Sequence, residues 1–129
     1  MELEETKELS QEQETQAQED GYEVIENVCP DPEALLSSKD TLVIVTTEGC
    51  PACEELIQNI DKIEIKDEQK IPDEFIFTTS ECKKVIEKFK IDKYPTVLRI
   101  KNIDGNVTIH SVEGYDIEGI TKLINDEID

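Results

Sequence analysis

Four cysteines carry the most reactive side chains in this chain, at positions 29, 50, 53 and 82, and two of them form the run Cys50-Pro51-Ala52-Cys53. Where such a run opens a helix, one turn brings both thiols to the same face. The pair can then close and reopen a disulfide, or contribute ligands to a metal. Flanking residues bear on the choice. Thr41-Leu42-Val43-Ile44-Val45-Thr46-Thr47 is β-branched and apolar on both faces and reads as a buried parallel strand. Glu48-Gly49 ends it, and from Pro51 onward Leu56, Ile57, Ile60 and Ile63 recur near the spacing of one helical face. Cys50 is therefore expected at a strand-to-helix junction, where unpaired amides and the positive end of the helix dipole favour a thiolate. Cysteines so placed titrate well below the usual value of about 8.5, and the thiolate is the species that attacks disulfides. Pro51 sits where its missing N–H costs least. Cys50 is the expected nucleophile and Cys53 the resolving thiol.

A metal is the competing chemistry. Zinc sites generally need four ligands, often as two CxxC pairs. Here Cys29 and Cys82 stand alone, and His110 is the single histidine, on a hairpin strand where an exposed position is expected. No metal and no tightly bound cofactor are expected. A CxxC shared across a dimer interface could instead hold an iron–sulfur cluster, and a non-catalytic binding or adaptor domain is a further alternative.

The pair must be positioned by the elements around it. Tyr22 to Val28 partly alternates and reads as a first, edge strand. Asp31 caps a short helix with Pro32 at its first position. After the Pro51 helix, residues 64–73 read as a charged loop and Glu74-Phe75-Ile76-Phe77-Thr78 as a strand. Ser80 is expected to cap a helix carrying Val85, Ile86 and Phe89, with Lys83, Lys84, Lys88 and Lys90 solvating it. Thr96 to Ile100 is the next strand, Asp104-Gly105 a hairpin turn, and Val107 to Val112 the returning strand. Asp116 caps a last helix with Ile117, Ile120, Leu123, Ile124 and Ile128 on one face. The order β-α-β-α-β-α-β-β-α argues for an α/β fold, a mixed central sheet with helices on both faces.

The chain has 129 residues, 36% hydrophobic and 35% charged, with a net charge of −19. That length suits one domain of roughly 100 residues plus extra chain. Residues 1–20 hold eight acids, one lysine and few aliphatic side chains. They are expected to be a disordered acidic tail, because they cannot bury enough apolar surface to offset ordering; the domain then spans 21–129. A surface this negative repels phosphate backbones and anionic lipid, so neither nucleic acid nor a membrane is an expected partner. The first twenty residues have no basic start, apolar run or small-residue cleavage site, and no stretch approaches the ~18 apolar residues of a membrane span. A soluble, cytoplasmic protein is expected. In a reducing compartment cysteines this sparse do not form a structural framework.

Over about residues 22–129 the chain resembles the thioredoxin superfamily. The resemblance rests on Cys50-Pro51-Ala52-Cys53 at the strand-to-helix junction and on Tyr94-Pro95-Thr96 at the entry to the fourth strand, 45 residues after Cys50. Lys88 to Leu98 looks most like protein disulfide isomerase domains. The resemblance implies a thioredoxin-like fold and a cis Tyr94–Pro95 bond lying against the CxxC. It implies a substrate groove formed by Gly49, Pro51, Ala52, Tyr94, Pro95 and Thr96, with the Tyr94 backbone pairing with extended substrate. The implied activity is thiol–disulfide exchange by a monomer on protein disulfides or thiols, with an electron donor or acceptor still to be identified. Two departures stand out. Gly49 replaces the tryptophan most members carry before the first cysteine, and Ile44 replaces a buried acid that helps move protons. Glutaredoxins lack that acid and often carry Pro after the first cysteine, but Gly114-Tyr115-Asp116 is no glutathione signature of the Gly-Gly kind. The resemblance also makes the first and third strands parallel neighbours, which puts Cys29 and Cys82 at one end of the sheet. A second disulfide between them and two unpaired thiols are both open, the latter favoured by a reducing cell.

Overall fold

The structure is a computed structural model that describes residues 23–26 and 28–127. The tail expected at 1–20 and Ile128 lie outside the described residues.

Strand β2 (Asp40–Thr46) organises the molecule. Its residues Thr41 to Val45 are all at most 1% exposed, as a two-faced apolar strand requires. It pairs in parallel with β3 (Glu74–Thr79) and antiparallel with β4 (Thr96–Ile103). Short β1 (Glu23–Ile25) lies parallel to β3, and β5 (Asn106–Glu113) pairs antiparallel with β4, giving the order β1-β3-β2-β4-β5. The β4–β5 turn falls at Asp104 and Gly105, both left-handed with φ of 55° and 86°, and the Asn102 side chain accepts from the Gly105 N–H at 3.0 Å. A right-twisted hairpin selects such a turn.

Alternation along β2 divides the core. Val43 and Val45 face a cluster with Leu35 of α1 (Pro32–Ser37) and Val85 of α3 (Lys83–Lys88). Leu42 and Ile44 face a second cluster with Leu56 of α2 (Pro51–Asn59) and with Ile120, Leu123 and Ile124 of α4 (Ile117–Ile124). Helices thus cover both faces. Full burial of each such aliphatic side chain contributes about 1.5–3 kcal/mol.

One buried cation ties the end of the sheet away from the CxxC. Arg99 of β4 is 2% exposed and donates from Nε and Nη2 to the two Asp40 carboxylate oxygens at 2.9 and 2.7 Å. Its Nη1 donates to the Leu123 and Ile124 carbonyls at 2.8 and 3.0 Å, and Nη2 also donates to the Lys70 carbonyl. The Leu123 and Ile124 carbonyls end α4, where helical acceptors lack intrahelical partners. Asn125 holds the loop before β3, accepting from Lys66 N–H at 2.9 Å and donating to the Glu64 carbonyl at 2.9 Å.

Three local expectations need correction. Among the described residues of the strand read over 22–28, Glu23–Ile25 pair with β3, whereas Glu26 and Val28 lie outside the strand and lead to Cys29 beside Cys82. Ser80 does not cap α3; the cap position is Cys82. The Ser80 hydroxyl is engaged instead by Thr47 Oγ1 at 2.7 Å, and the Ser80 N–H donates to the Thr46 carbonyl, so this residue stitches the loop after β2 to the loop after β3. His110 is half-buried rather than exposed, opposite Arg99.

Candidate active site

Strand β2 ends at Thr46, and Gly49 then takes a left-handed φ of 69° that turns the chain into α2. A side chain of any size would be strained at that φ, so glycine suits the position and a bulky aromatic does not. Cys50 is the N-cap, in extended conformation, with Pro51 at the first helical position. Its carbonyl accepts the first helical bond from Glu54 N–H, and its Sγ accepts from the Cys53 N–H at 3.1 Å. A helix-start amide aimed at sulfur stabilises the thiolate over the thiol.

Cys50 and Cys53 are joined in a disulfide with Cα atoms 5.2 Å apart. The two sulfurs differ in access. Cys50 is half-buried, whereas Cys53 is 2% exposed and packed into the sheet. Of the pair, Cys50 is the more exposed residue.

The Tyr94–Pro95 peptide bond is cis. The Tyr94 carbonyl oxygen lies 3.8 Å from Cys50 Sγ, so the residues expected to flank the CxxC from the fourth strand do so. The Thr96 hydroxyl donates back to the Lys93 carbonyl and closes the turn that presents Pro95. Pro95 and Thr96 are buried; Pro51 and Gly49 are exposed, and Ala52 is half-buried. Sequence reasoning missed Gly114 as part of this construction. Its N–H donates to the Pro95 carbonyl at 2.7 Å, from a left-handed φ of 81°. A glycine placed two residues before a helix cap was the available signal.

Ile44 is fully buried and carries no proton acceptor. Glu48 is exposed. The remaining cysteines are not two unpaired thiols: Cys29 and Cys82 form a second disulfide, Cα–Cα 5.2 Å. Among the described residues the four cysteines are thus divided between two disulfides rather than gathered around one centre.

No protein-family model matches the chain, and no curated protein matches its sequence. Solved structures do match in shape. A thioredoxin from Trichomonas vaginalis is 18% identical, covers 80% of this chain and 96% of its own length, and superposes with a TM-score of 0.63. A Schistosoma mansoni thioredoxin is 22% identical over 84% of this chain and 98% of its own, TM-score 0.63. Spinach chloroplast thioredoxin f is 18% identical over 83% and 94%, TM-score 0.59. At these identities the likeness shows the fold, and the fold is that of thioredoxin.

Proposed function

We propose that this protein is a thiol–disulfide oxidoreductase that acts on the disulfides or thiols of other proteins through Cys50 and Cys53. The observation that carries the reading is the asymmetric pair: a reachable Cys50 sulfur at a helix N-cap, accepting the Cys53 amide, over a buried Cys53. In the reductive direction, the Cys50 thiolate attacks one sulfur of a substrate disulfide, and the other sulfur leaves with the electron pair. Cys53 then attacks Cys50 Sγ, releasing the second substrate thiolate and closing the Cys50–Cys53 disulfide. With Ile44 buried beside the site, the Cys53 proton passes to solvent or to the departing thiolate. Gly49, Pro51, Ala52, Tyr94, Pro95 and Thr96 form the groove, and the exposed Gly49 leaves its rim open on the helix side. No cofactor enters the reaction. A separate donor or acceptor of two electrons must reset the pair. Among the described residues no helix is long and apolar enough to cross a membrane, and the charge of −19 disfavours nucleic acid as a partner.

The test is a reduction potential, from equilibration in graded glutathione buffers with thiol trapping and mass spectrometry. A reversible two-electron transition at Cys50 and Cys53 supports the proposal. A value near about −270 mV marks a reductase, and one near about −120 to −180 mV an oxidase or isomerase. In parallel, Cys53→Ser should accumulate mixed disulfides on Cys50 and Cys50→Ser should form none. If the pair never cycles, the domain is a non-catalytic binding module.

A further inference from the structure

The three parallel strands all end at the same edge of the sheet, and each is followed by a cysteine: Cys29 after β1, Cys50 after β2 and Cys82 after β3. The exchange chemistry assigned to Cys50 and Cys53 leaves the Cys29–Cys82 disulfide unused. A fold needs no particular asymmetry from a disulfide that only staples it, yet this one is asymmetric in two respects. Cys29 is exposed, whereas Cys82 is 6% exposed within the core. The Thr78 hydroxyl, itself 1% exposed, donates to Cys82 Sγ at 2.9 Å. Both cysteines line a cleft of about 410 Å³ whose walls include Pro30, Asp31, Glu81, Lys83 and Lys84.

We infer that Cys29–Cys82 is a second thiol-exchange site, opened by an external dithiol that attacks Cys29, with Cys82 as the leaving thiolate. The inference goes beyond the CxxC reading and does not depend on it. Access selects Cys29, because attack requires approach to the sulfur along the S–S axis, and Cys29 is the exposed residue of the pair whereas Cys82 is buried. The hydrogen bond selects the leaving group. A disulfide sulfur is a weak acceptor, whereas a thiolate is a charged one. The Thr78 donor therefore gains strength as the S–S bond breaks, a stabilisation greater in the transition state than in the resting disulfide. The two lysines of the cleft, Lys83 and Lys84, are balanced by Asp31 and Glu81, so access and the Thr78 hydrogen bond carry the inference rather than charge.

The step balances. One thiolate of the dithiol bonds to Cys29 Sγ, and the electron pair of the Cys29–Cys82 bond goes to Cys82. The second thiolate of the dithiol then closes its own disulfide and releases Cys29. The dithiol loses two electrons, the protein pair gains them, and two protons end on Cys29 and Cys82. Opening also detaches the segment after β1, a strand otherwise held to β3 by three residue pairs.

The experiment uses the full oxidised chain and dithiothreitol as probe, with alkylation, acid quench and mass spectrometry at intervals. Trypsin separates the pairs, since cleavage after Lys39, Lys62, Lys70 and Lys83 leaves Cys29, Cys50 with Cys53, and Cys82 on three peptides. Cys29–Cys82 should open in native buffer within about tenfold of its rate in guanidinium, as a locally accessible bond does. Brief exposure to glutathione should leave the adduct on Cys29 and none on Cys82. Thr78→Val should slow opening of this pair by roughly tenfold while the Cys50–Cys53 rate stays as it was. Opening only on global unfolding, or an adduct on Cys82, overturns the inference, as does a folded Thr78→Val protein with an unchanged rate. Should that variant fail to fold, the adduct position in the unmodified chain decides.

Discussion

Replacing Arg99 with methionine should remove a large part of this domain's stability without touching the cysteines. The guanidinium is 2% exposed and spends its donors on both Asp40 oxygens and on the carbonyls of Lys70, Leu123 and Ile124. Methionine fills much of the volume and satisfies none of these acceptors. Asp40, 20% exposed at its side chain, keeps a negative charge with its partner gone. Removing one member of a buried pair costs about 3–5 kcal/mol, and the part-exposed carboxylate places this case toward the lower end. Against a total of about 5–15 kcal/mol for a typical domain, that is roughly a fifth to three-fifths of the margin. The assay is urea unfolding followed by far-ultraviolet circular dichroism, since the chain has no tryptophan to report by fluorescence. Asp40→Asn should cost less, because the amide still offers one acceptor. The double variant should cost less than the sum of the two by about 1–3 kcal/mol, as residues sharing one network couple. Additive losses, or an Arg99→Met loss below about 1 kcal/mol, would show that the cation is not the tie described here.

Removing the second disulfide as Cys29→Ala/Cys82→Ala should lower the urea midpoint. Its 53-residue separation corresponds to about 4 kcal/mol of loop-closure entropy, readable against the parent with Cys50–Cys53 kept oxidised. Gly114→Ala should cost about 1–2 kcal/mol through its left-handed φ alone, because an added Cβ meets nothing within 4 Å; circular dichroism melts would register it. Asp126 supplies a pH dependence. The Lys101 ammonium, donating to its carboxylate, holds Asp126 below the usual carboxylate pKa. A group whose pKa is lowered by folding contributes stability above its unfolded value and loses it as the pH falls through the folded one. Asp126→Asn should therefore lose a few tenths of a kcal/mol at pH 7, the pair being solvent-screened, and converge with the parent in acid below the carboxylate range.

Much of the framework is legible because local physics and tertiary structure agree there. The two-faced run at 41–45 must be buried, Asp31 and Asp116 do cap their helices by accepting from Glu33 and Gly119 N–H groups, and Asp104-Gly105 makes the turn its type demands. Failures fall where a distant residue competes. Ser80 has the chemistry of a cap, but Thr47, 33 residues away, takes its hydroxyl. Arg99 occupies an inward strand position that reads as an anomaly until Asp40, 59 residues away, and the end of α4 are placed around it. Gly114 looks like punctuation before a capped helix, and its tie to Pro95 emerges only once β5 runs back along β4. Within the CxxC itself, spacing and flanking elements sufficed to place Cys50 at the N-cap and Cys53 in the first turn, because both positions follow from one helix terminus.

The placement of the two kinds of polar device has a consequence for how this domain tolerates change. β1, β2 and β3 run parallel and deliver Cys29, Cys50 and Cys82 to one edge, where antiparallel β4 begins with Pro95 close before it and β5 ends beside Gly114. At the opposite edge, β2 begins with Asp40, and Arg99 binds that carboxylate to the last turn of α4. One end is thus built from sulfur, left-handed glycines and a cis proline, each suited to approach by another chain. The other is built from an ion pair whose guanidinium is buried and bonded to the end of α4. Between them lie the aliphatic residues of β2, about 3.3 Å per residue along the strand, with no ionisable side chain from Thr41 to Val45 to couple the ends electrostatically. Substitutions at Asp40 or Arg99 should therefore move the unfolding midpoint and leave the Cys50–Cys53 potential where it was. Substitutions at Ala52 should do the reverse, because a potential depends only on the difference between the dithiol and disulfide forms. A stabilising tie that is identical in both redox forms drops out of that difference, whatever its size.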